Sequence, residues 1–125
     1  MKIIFISLIA VLGLTLSGCT NPPVVNPNVS PPVQAEIPKG NIYFYSSTCP
    51  HCQTVRDYIT SNNIQQRLFF LELEISKDTH NADILRAVGS RCLINENNLS
   101  VPLFWNGNQC YVGSDNVINY FQTLK

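Results

Sequence analysis

This 125-residue sequence lacks an excess of positive or negative charge, because eight basic residues balance eight acidic ones. The zero net charge argues against nucleic-acid binding and against electrostatic attachment to anionic lipid. One methionine and two histidines leave few soft or nitrogen ligands for a metal. No apolar run reaches the roughly 20 residues that span a bilayer. Residues 40–125 contain no repeat and no low-complexity segment, so the cysteines are the most informative feature.

Cys49-Pro50-His51-Cys52 follow a short apolar run and precede a helix-compatible stretch at residues 53–63. Pro50 suits the first helical position, and Cys49 then falls at the N-cap, where its sulfur can accept the N–H of Cys52. The positive end of the helix favours a thiolate there. We therefore interpret Cys49 as the attacking thiol and Cys52 as the resolving thiol of a redox-active pair. A structural disulfide, a metal clip and two inert thiols are the alternatives for an isolated C-x-x-C.

His51 occupies the second helical position. From there a histidine can donate a hydrogen bond to the Cys49 thiolate and, when protonated, attract it. Stabilising the thiolate stabilises the reduced dithiol, which makes the disulfide a better oxidant. A solvent-facing histidine with little effect is the alternative.

Residues 1–18 have a charged start, a short apolar core and small residues at the end, which is typical of an export signal. Leu16-Ser17-Gly18-Cys19 resembles the bacterial lipoprotein cleavage site, in which the cysteine becomes the lipidated first residue of the mature protein. The resemblance implies a bacterial protein that a lipid on Cys19 holds at a membrane surface outside the cytoplasm.

Residues 19–39 are then the lipidated cysteine and a tether. Six prolines lie among Asn, Val and Ser, without hydrophobic periodicity. Such a composition favours extended polyproline conformations and, at about 3.1 Å per residue, would hold a domain up to roughly 60 Å from its anchor. Residues 40–125 remain as one domain, whose small core would benefit from a second cross-link.

Hydrophobic patterns predict the element order β-α-β-α-β-β-α for this domain. A strand is predicted before the dithiol and a helix after it. Residues 68–75 then alternate at strand period, and residues 79–91 carry an apolar stripe at helical period. The pattern indicates an α/β domain with the dithiol at its first strand–helix junction.

Asn106-Gly107 suits a two-residue hairpin turn between strands at 101–105 and 109–112, because both residues can take positive φ. Ser114 is the predicted N-cap of a last helix. The apolar face of that helix comprises Val117, Ile118, Phe121 and Leu124.

These elements resemble the thioredoxin superfamily over residues 41–125. The resemblance implies a three-layer α/β fold with a mixed four-stranded sheet. It also implies that Pro102 is cis and borders the dithiol, and that the backbone of Val101 docks an extended substrate chain. The resemblance rests on three motifs: Cys49-Pro50-His51-Cys52, Val101-Pro102 and Gly113-Ser114-Asp115.

Within the superfamily, the short format and the turn at residues 113–115 look most like glutaredoxins, in which that turn contacts glutathione. The resemblance therefore adds Ser114 and Asp115 as substrate-binding residues, with capping of the last helix as the alternative explanation. The Pro-His pair between the cysteines is instead similar to that of periplasmic disulfide oxidants. Tyr43 stands where thioredoxins have a buried acid.

Cys92 and Cys110 bring the cysteine count after lipidation to four, an even number that favours a second, structural disulfide in an exported domain. Closing this loop would contribute about 3 kcal/mol in the chain-entropy model. Two buried small hydrophobic side chains and a second redox pair are the alternatives.

The combined interpretation is a membrane-tethered, extracytoplasmic enzyme, a thiol-disulfide oxidoreductase that exchanges disulfides with protein thiols. No dissociable cofactor is required, because the dithiol carries two electrons, and glutathione is a candidate co-substrate. A membrane redox protein is a candidate partner, and we expect a monomer with no nucleic acid and no resident metal. The rivals are a glutathione-linked or membrane-fed disulfide reductase and, from another class, a metal-binding lipoprotein that uses Cys49, Cys52 and His51.

Overall fold

The computed structural model describes residues 35–124. The predicted signal peptide, Cys19 and the tether up to residue 34 lie outside the described residues. Within residues 35–124, no helix is long and apolar enough to cross a membrane. The elements of this part of the chain are β1 (Asn41–Tyr45), α1 (Pro50–Ser61), α2 (Ile64–Arg67), β2 (Phe70–Glu74), α3 (Thr79–Arg91), a 3-10 turn (Glu96–Asn98), β3 (Leu103–Trp105), β4 (Cys110–Val112) and α4 (Ser114–Gln122).

The four strands form one sheet in the order β2-β1-β3-β4. β1 runs parallel to β2 and antiparallel to β3, and β3 pairs antiparallel with β4. A parallel pair needs a crossover connection, which α1 and α2 provide between β1 and β2. The predicted α/β fold with a mixed four-stranded sheet is confirmed.

Helices cover both faces of the sheet, which gives three layers. Alternate residues of the central strand β1 point to opposite faces, as strand geometry requires. Ile42 and Phe44 join α3 in one buried cluster. Tyr43 joins α1 and α4 in the other, where Phe104 and Phe121 meet with ring centroids 4.9 Å apart. Burying side chains of this size contributes about 1.5–3 kcal/mol each.

The chain enters the domain at the end of the sheet that carries the hairpin turn. Ala35 and Ile37, which the sequence assigns to the tether, pack in the cluster that contains Trp105. Because β1 and β3 are antiparallel, with Ile42 beside Trp105, the start of β1 lies next to the end of β3. The opposite end of the sheet is where β1 leads into α1, and the dithiol lies there.

The hairpin turn falls one residue later than predicted. Of the two predicted turn residues, Gly107 takes positive φ, 88°. The Asn106 side-chain oxygen instead accepts the N–H groups of Asn108 and Gln109 at 3.0 and 2.7 Å. The N–H of Asn106 donates to the Gln109 carbonyl at 3.1 Å. Asn106 and Gln109 therefore close the hairpin, and Gly107-Asn108 form its turn.

A second, short helix follows the first, and the sequence pattern did not predict it. α1 ends at Ser61, and Asn63 adopts a left-handed conformation with φ 49° before α2 begins at the buried Ile64. Asparagine tolerates this conformation better than most residues do. Ile64 packs in the same buried cluster as the apolar residues of α1.

Candidate active site

The dithiol lies where β1 leads into α1. Cys49 has the extended backbone of an N-cap residue, with φ −91° and ψ 115°, and Pro50 takes the first helical position. The Cys49 sulfur accepts the N–H of Cys52 at 3.3 Å, which is the geometry that the sequence predicts. A capping interaction thus holds this sulfur at the positive end of a helix.

The two sulfur-bearing residues differ in access to solvent. Cys49 is half-buried, and Cys52 is fully buried. Cys49 Sγ also lies 3.8 Å from the Val101 carbonyl oxygen, within reach of a weak S–H donor. Burial first, and then the hydrogen bond with Cys49, raises the pKa of the Cys52 thiol. Cys52 is therefore a neutral thiol enclosed behind Cys49.

A groove of about 460 Å³ opens beside Cys49, and we call it the dithiol groove. Its walls come from the start of α1, from the segment before β3 and from the start of α4, three places far apart in sequence. The structure thus brings together five of the predicted site residues, namely His51, Val101, Pro102, Ser114 and Asp115.

The floor of the dithiol groove is fixed by the segment before β3. The Val101-Pro102 peptide bond is cis, and Pro102 is fully buried. The Pro102 carbonyl oxygen accepts the N–H of Gly113 at 2.9 Å. This bond joins the segment to the start of α4, so the residues on both sides of the groove hold a fixed spacing.

Within the part of the chain that the structure describes, His51 lines the groove without the predicted hydrogen bond to the Cys49 sulfur. The residue is exposed, and within residues 35–124 no hydrogen bond joins it to Cys49. Side chains at successive helical positions point in different directions, so a residue two positions after the N-cap need not face it. His51 therefore contributes an exposed imidazole to the lining of the dithiol groove.

The predicted N-cap of the last helix is wrong by one residue. Gly113 is the N-cap of α4, with φ 87°, and Ser114 is the first helical residue. Positive φ favours glycine, and no side chain among residues 35–124 caps this helix. The Ser114 hydroxyl lies 3.4 Å from an Asp115 carboxylate oxygen, so both polar groups sit on the groove wall rather than on the helix backbone.

Tyr43 is part of the site, although sequence reasoning noted only what it replaces. Its fully buried hydroxyl donates to the Cys52 carbonyl oxygen at 3.0 Å. Its ring stacks on Tyr45 with centroids 5.7 Å apart. Burial, followed by the proximity of Cys52, raises the pKa of Tyr43, so the phenol stays neutral. The strand period of β1 could have placed Tyr43 on the α1 side, but not this hydrogen bond.

Glu74, at the end of β2, was not anticipated from the sequence. Its carboxylate accepts the N–H of Ser47 at 3.0 Å, the N–H of Lys77 at 2.7 Å and the hydroxyl of Ser76. The Ser76 contact first, and then the Ser47 contact, lowers the pKa of Glu74 to about 2. Because Ser47 belongs to the loop that precedes Cys49, Glu74 ties that loop to the connection between β2 and α3.

Cys92 and Cys110 lie away from the dithiol and are joined by a disulfide, with Cα atoms 6.1 Å apart. The bond links the end of α3 to the first residue of β4. It borders a second groove of about 510 Å³, which we call the edge groove. Val112 and Asn116 line both grooves, so the edge groove continues from the dithiol groove.

No protein-family model matches this chain, and no curated protein is significantly similar to it. Solved structures do match. A buckwheat glutaredoxin in complex with glutathione is 17% identical, with a TM-score of 0.47, over 66% of this chain and 68% of that chain. A wheat glutaredoxin is 20% identical, with a TM-score of 0.48, over 72% and 74%. A glutaredoxin from Archaeoglobus fulgidus is 19% identical, with a TM-score of 0.47, over 65% and 84%.

All three neighbours are glutaredoxins. At these identities and TM-scores the similarity concerns the fold and leaves the reaction and the substrate open.

Proposed function

We propose that this protein is an extracytoplasmic thiol-disulfide oxidoreductase, tethered to a bacterial membrane by a lipid on Cys19, that exchanges disulfides with protein thiols. The observation that supports it best is the unequal access of two sulfurs at one helix N-terminus. Cys49 is half-buried beside a groove, and Cys52 is enclosed behind it. A structural disulfide needs no such difference, whereas a nucleophile and a resolving thiol require it.

In the reducing direction, the Cys49 thiolate attacks one sulfur of a substrate disulfide. The substrate S–S bond breaks, a mixed disulfide forms on Cys49, and the other substrate sulfur leaves as a thiolate that takes up a proton. Cys52 then attacks the Cys49 sulfur and releases the second substrate thiol. The dithiol has lost two electrons and two protons, and the substrate has gained both. The same steps in reverse oxidise a substrate dithiol.

The second step requires Cys52 to lose its proton. Burial holds Cys52 as a thiol, and the nearby Tyr43 hydroxyl donates to a backbone carbonyl and keeps its own proton. The departing substrate sulfur is the group that becomes more basic as the mixed disulfide breaks. We therefore assign the Cys52 proton to the released substrate thiol, which makes the resolving step concerted with substrate release.

The decisive test is a trapping experiment. Cys52→Ala removes the resolving thiol, so mixed disulfides with substrate proteins should accumulate on Cys49 and disappear in reductant. Cys49→Ser should abolish both trapping and thiol-disulfide exchange with insulin or a reduced test protein. Adducts that form on Cys92 or Cys110 instead would refute the assignment of the site.

The tether and the location rest on the sequence motif at Cys19. Cys19→Ala should release the protein from the membrane fraction or leave it unprocessed, because the acceptor of the lipid is gone. A variant with unchanged mass and unchanged membrane partition would contradict the anchor while leaving the dithiol chemistry intact.

A glutathione-linked reductase is the second candidate, and the lining of the dithiol groove by Val101, Ser114 and Asp115 favours it. These are the positions at which the resemblance to glutaredoxins implies glutathione contacts. Glutathione-dependent reduction of a small disulfide, lost in Asp115→Ala and retained in Asp83→Ala on α3, would support this candidate.

For a metal-binding lipoprotein, a third ligand is needed beside the two thiols, and residues 35–124 contain no group of three or more metal-binding side chains.

A further inference from the structure

The edge strand β4 offers backbone hydrogen-bonding groups next to the dithiol groove. Within an antiparallel pair, residues alternate between positions that bond to the partner strand and positions that point away from it. Gly113 donates to Pro102 and Asn106 donates to Gln109, so these two pairs are bonded positions. The register of β3 and β4 places one further bonded pair midway between them.

Cys110 and Val112 occupy the positions between these bonded pairs, so their N–H and C=O groups point away from β3. β4 is the last strand of the sheet on this side. The Asn116 side-chain amide donates to the Val112 carbonyl at 2.8 Å, so α4 satisfies one outward group. Within residues 35–124, the Val112 N–H and both backbone groups of Cys110 have no partner and are open to solvent or to another chain. An edge of this kind is a template for an added strand.

The edge groove follows this side of β4. The end of α3 and the residues that follow it, 91–94, form one wall, and Asn116 of α4 forms the other. The groove is therefore bounded by both helical layers and floored by the sheet edge. Three strand residues span about 10 Å, which is the length of a short polypeptide segment rather than of a single side chain.

Leu93 stands at the wall of the edge groove in a position that the fold does not explain. It is 93% exposed and has φ 57°, a left-handed conformation that disfavours a leucine. It ends α3 in the manner of a glycine, with its N–H on the Ser90 carbonyl at 3.2 Å and the following Ile94 N–H on the Gly89 carbonyl at 2.9 Å. The side chain adds no burial and carries a backbone cost, so it is available to a partner.

We propose that the substrate is an extended polypeptide segment that adds to the free edge of β4, with its cysteine at Cys49 and an apolar side chain against Leu93. The proposal rests on the thiol-disulfide function above and names its substrate class. Two observations select this occupant: the edge groove is continuous with the dithiol groove, and its outward groups match a peptide backbone. Arg91 is the charged residue that lines the edge groove, so an acidic residue beyond the apolar one complements it.

Binding along β4 would also distinguish unfolded proteins from small disulfides as substrates. A small disulfide fills only the dithiol groove. A polypeptide whose chain continues along β4 gains backbone hydrogen bonds and the Leu93 contact as well. Folded proteins present such extended segments only where they open locally, so the preference is for incompletely folded chains.

The test compares two disulfides that react with the same reduced protein. One is hydroxyethyl disulfide. The other is a short peptide that contains a cysteine, an apolar residue and an acidic residue, and its cysteine forms a mixed disulfide with mercaptoethanol. Two peptides carry the cysteine at opposite ends, and single-turnover rates are measured by acid quench and mass spectrometry. We expect at least one peptide to react faster than the small disulfide, and N-methylation of alternate peptide nitrogens to remove the advantage.

Leu93→Gly is the informative variant, because fold and substrate binding respond in opposite directions. Glycine suits the left-handed position, so the melting temperature should stay the same or rise. The ratio of the peptide rate to the small-disulfide rate should fall roughly tenfold, the loss expected for one apolar contact. Phe69→Ala is the matched control, since it removes another exposed apolar side chain, 80% exposed, before the opposite edge strand β2, and should leave the ratio unchanged.

The outcomes separate the two proposals. If hydroxyethyl disulfide reacts but neither peptide is faster, or if Leu93→Gly leaves the ratio unchanged, the edge-binding inference is overturned and the proposed function stands. If no disulfide reacts, the proposed function fails, and the binding of fluorescently labelled peptide to Cys49→Ala still decides whether the edge is a peptide site. A dimer in sedimentation that Leu93→Gly dissolves would assign the edge to a second copy instead.

Discussion

At the scale of single residues, the site is organised by one buried hydroxyl and one carboxylate that do not react. Tyr43 donates to the backbone of Cys52 from beneath the helix, and Glu74 holds the loop that leads into Cys49. Both act on where the sulfurs lie. A phenol at this buried position leaves a neutral neighbour beside Cys52, where a carboxylate would add negative charge.

Tyr43→Phe should lower the free energy of unfolding by about 1 kcal/mol, the usual net value of one buried hydrogen bond. The aromatic packing stays, and only the bond to the Cys52 carbonyl oxygen is lost. Urea unfolding measures the change. Tyr45→Phe, in the stacked neighbouring ring, is the control and should change stability less; an equal change in both variants would show that the bond contributes nothing specific.

Glu74→Gln should remove part of the acid sensitivity of the fold. The pKa of Glu74 is lowered from its ordinary value of 4.5 to about 2, because hydrogen bonds favour the carboxylate. Its contribution is therefore fully present above pH about 4.5 and is lost as the pH falls toward 2. The stability difference between the native protein and the variant should shrink across this window in urea titrations at several pH values. Glu72→Gln on the same strand corrects for general loss of charge, and a difference that stays constant with pH would contradict the role of Glu74.

At the scale of secondary-structure elements, strong periodicities were predictive and local turn geometry was not. The strand at 70–74 and the helix at 79–91 follow from alternating and helical apolar patterns, and the dithiol position follows from a proline at the helix start. The patterns missed α2 and the 3-10 turn at 96–98, because a single turn of helix has no period to detect. Hydrogen bonds of the Asn106 side chain shifted the hairpin, and the backbone angle of Gly113 shifted the cap.

The site shows the same division. Spacing in the sequence located Cys49, Pro50 and Cys52, and the resemblance located Val101 and Pro102. Glu74 and Leu93 depend on contacts between separate elements or on one backbone angle. No pattern along the chain records such features, so only the folded structure reveals them.

Gly113→Ala tests the backbone angle at the start of α4. Alanine at φ 87° is strained, so we expect a loss of stability of roughly 1–2 kcal/mol and slower reaction at Cys49, because α4 forms one wall of the dithiol groove. Gly40→Ala is a matched control, since φ is 101° there and an added Cβ meets no neighbour at either glycine. Gly40→Ala should cost similar stability without slowing the reaction. Equal slowing in both variants would mean that the rate reports stability alone.

At the scale of the whole molecule, the two cysteine pairs divide their tasks by position. The Cys92–Cys110 disulfide links the α3 layer to the edge of a small sheet, where a core of this size gains from a cross-link. The dithiol lies at the start of α1, beside the dithiol groove, and its Cys49 sulfur is the more accessible of the two. We therefore expect the dithiol to open and close while the Cys92–Cys110 bond stays closed.

The direction of electron flow follows from the reduction potential of the Cys49–Cys52 couple. The positive end of α1 lies at the Cys49 sulfur, and the buried neighbour of Cys52 is a phenol rather than a carboxylate, so we expect the reduced state to be stabilised. We expect a potential less negative than the value of about −270 mV of thioredoxin. Equilibration with glutathione redox buffers, read by mass spectrometry of trapped thiols, measures it. A potential at or below that value would contradict this expectation and indicate that the protein works as a reductase.

The place where the chain enters the domain affects how the proposed anchor would present the dithiol. Ala35 and Ile37 pack at the pole of the molecule that carries the hairpin turn, and Cys49 opens at the opposite pole. Under the proposal of a lipid on Cys19, the tether would therefore join the domain at the pole opposite Cys49. A substrate chain would then reach Cys49 without passing the point where the tether enters the domain.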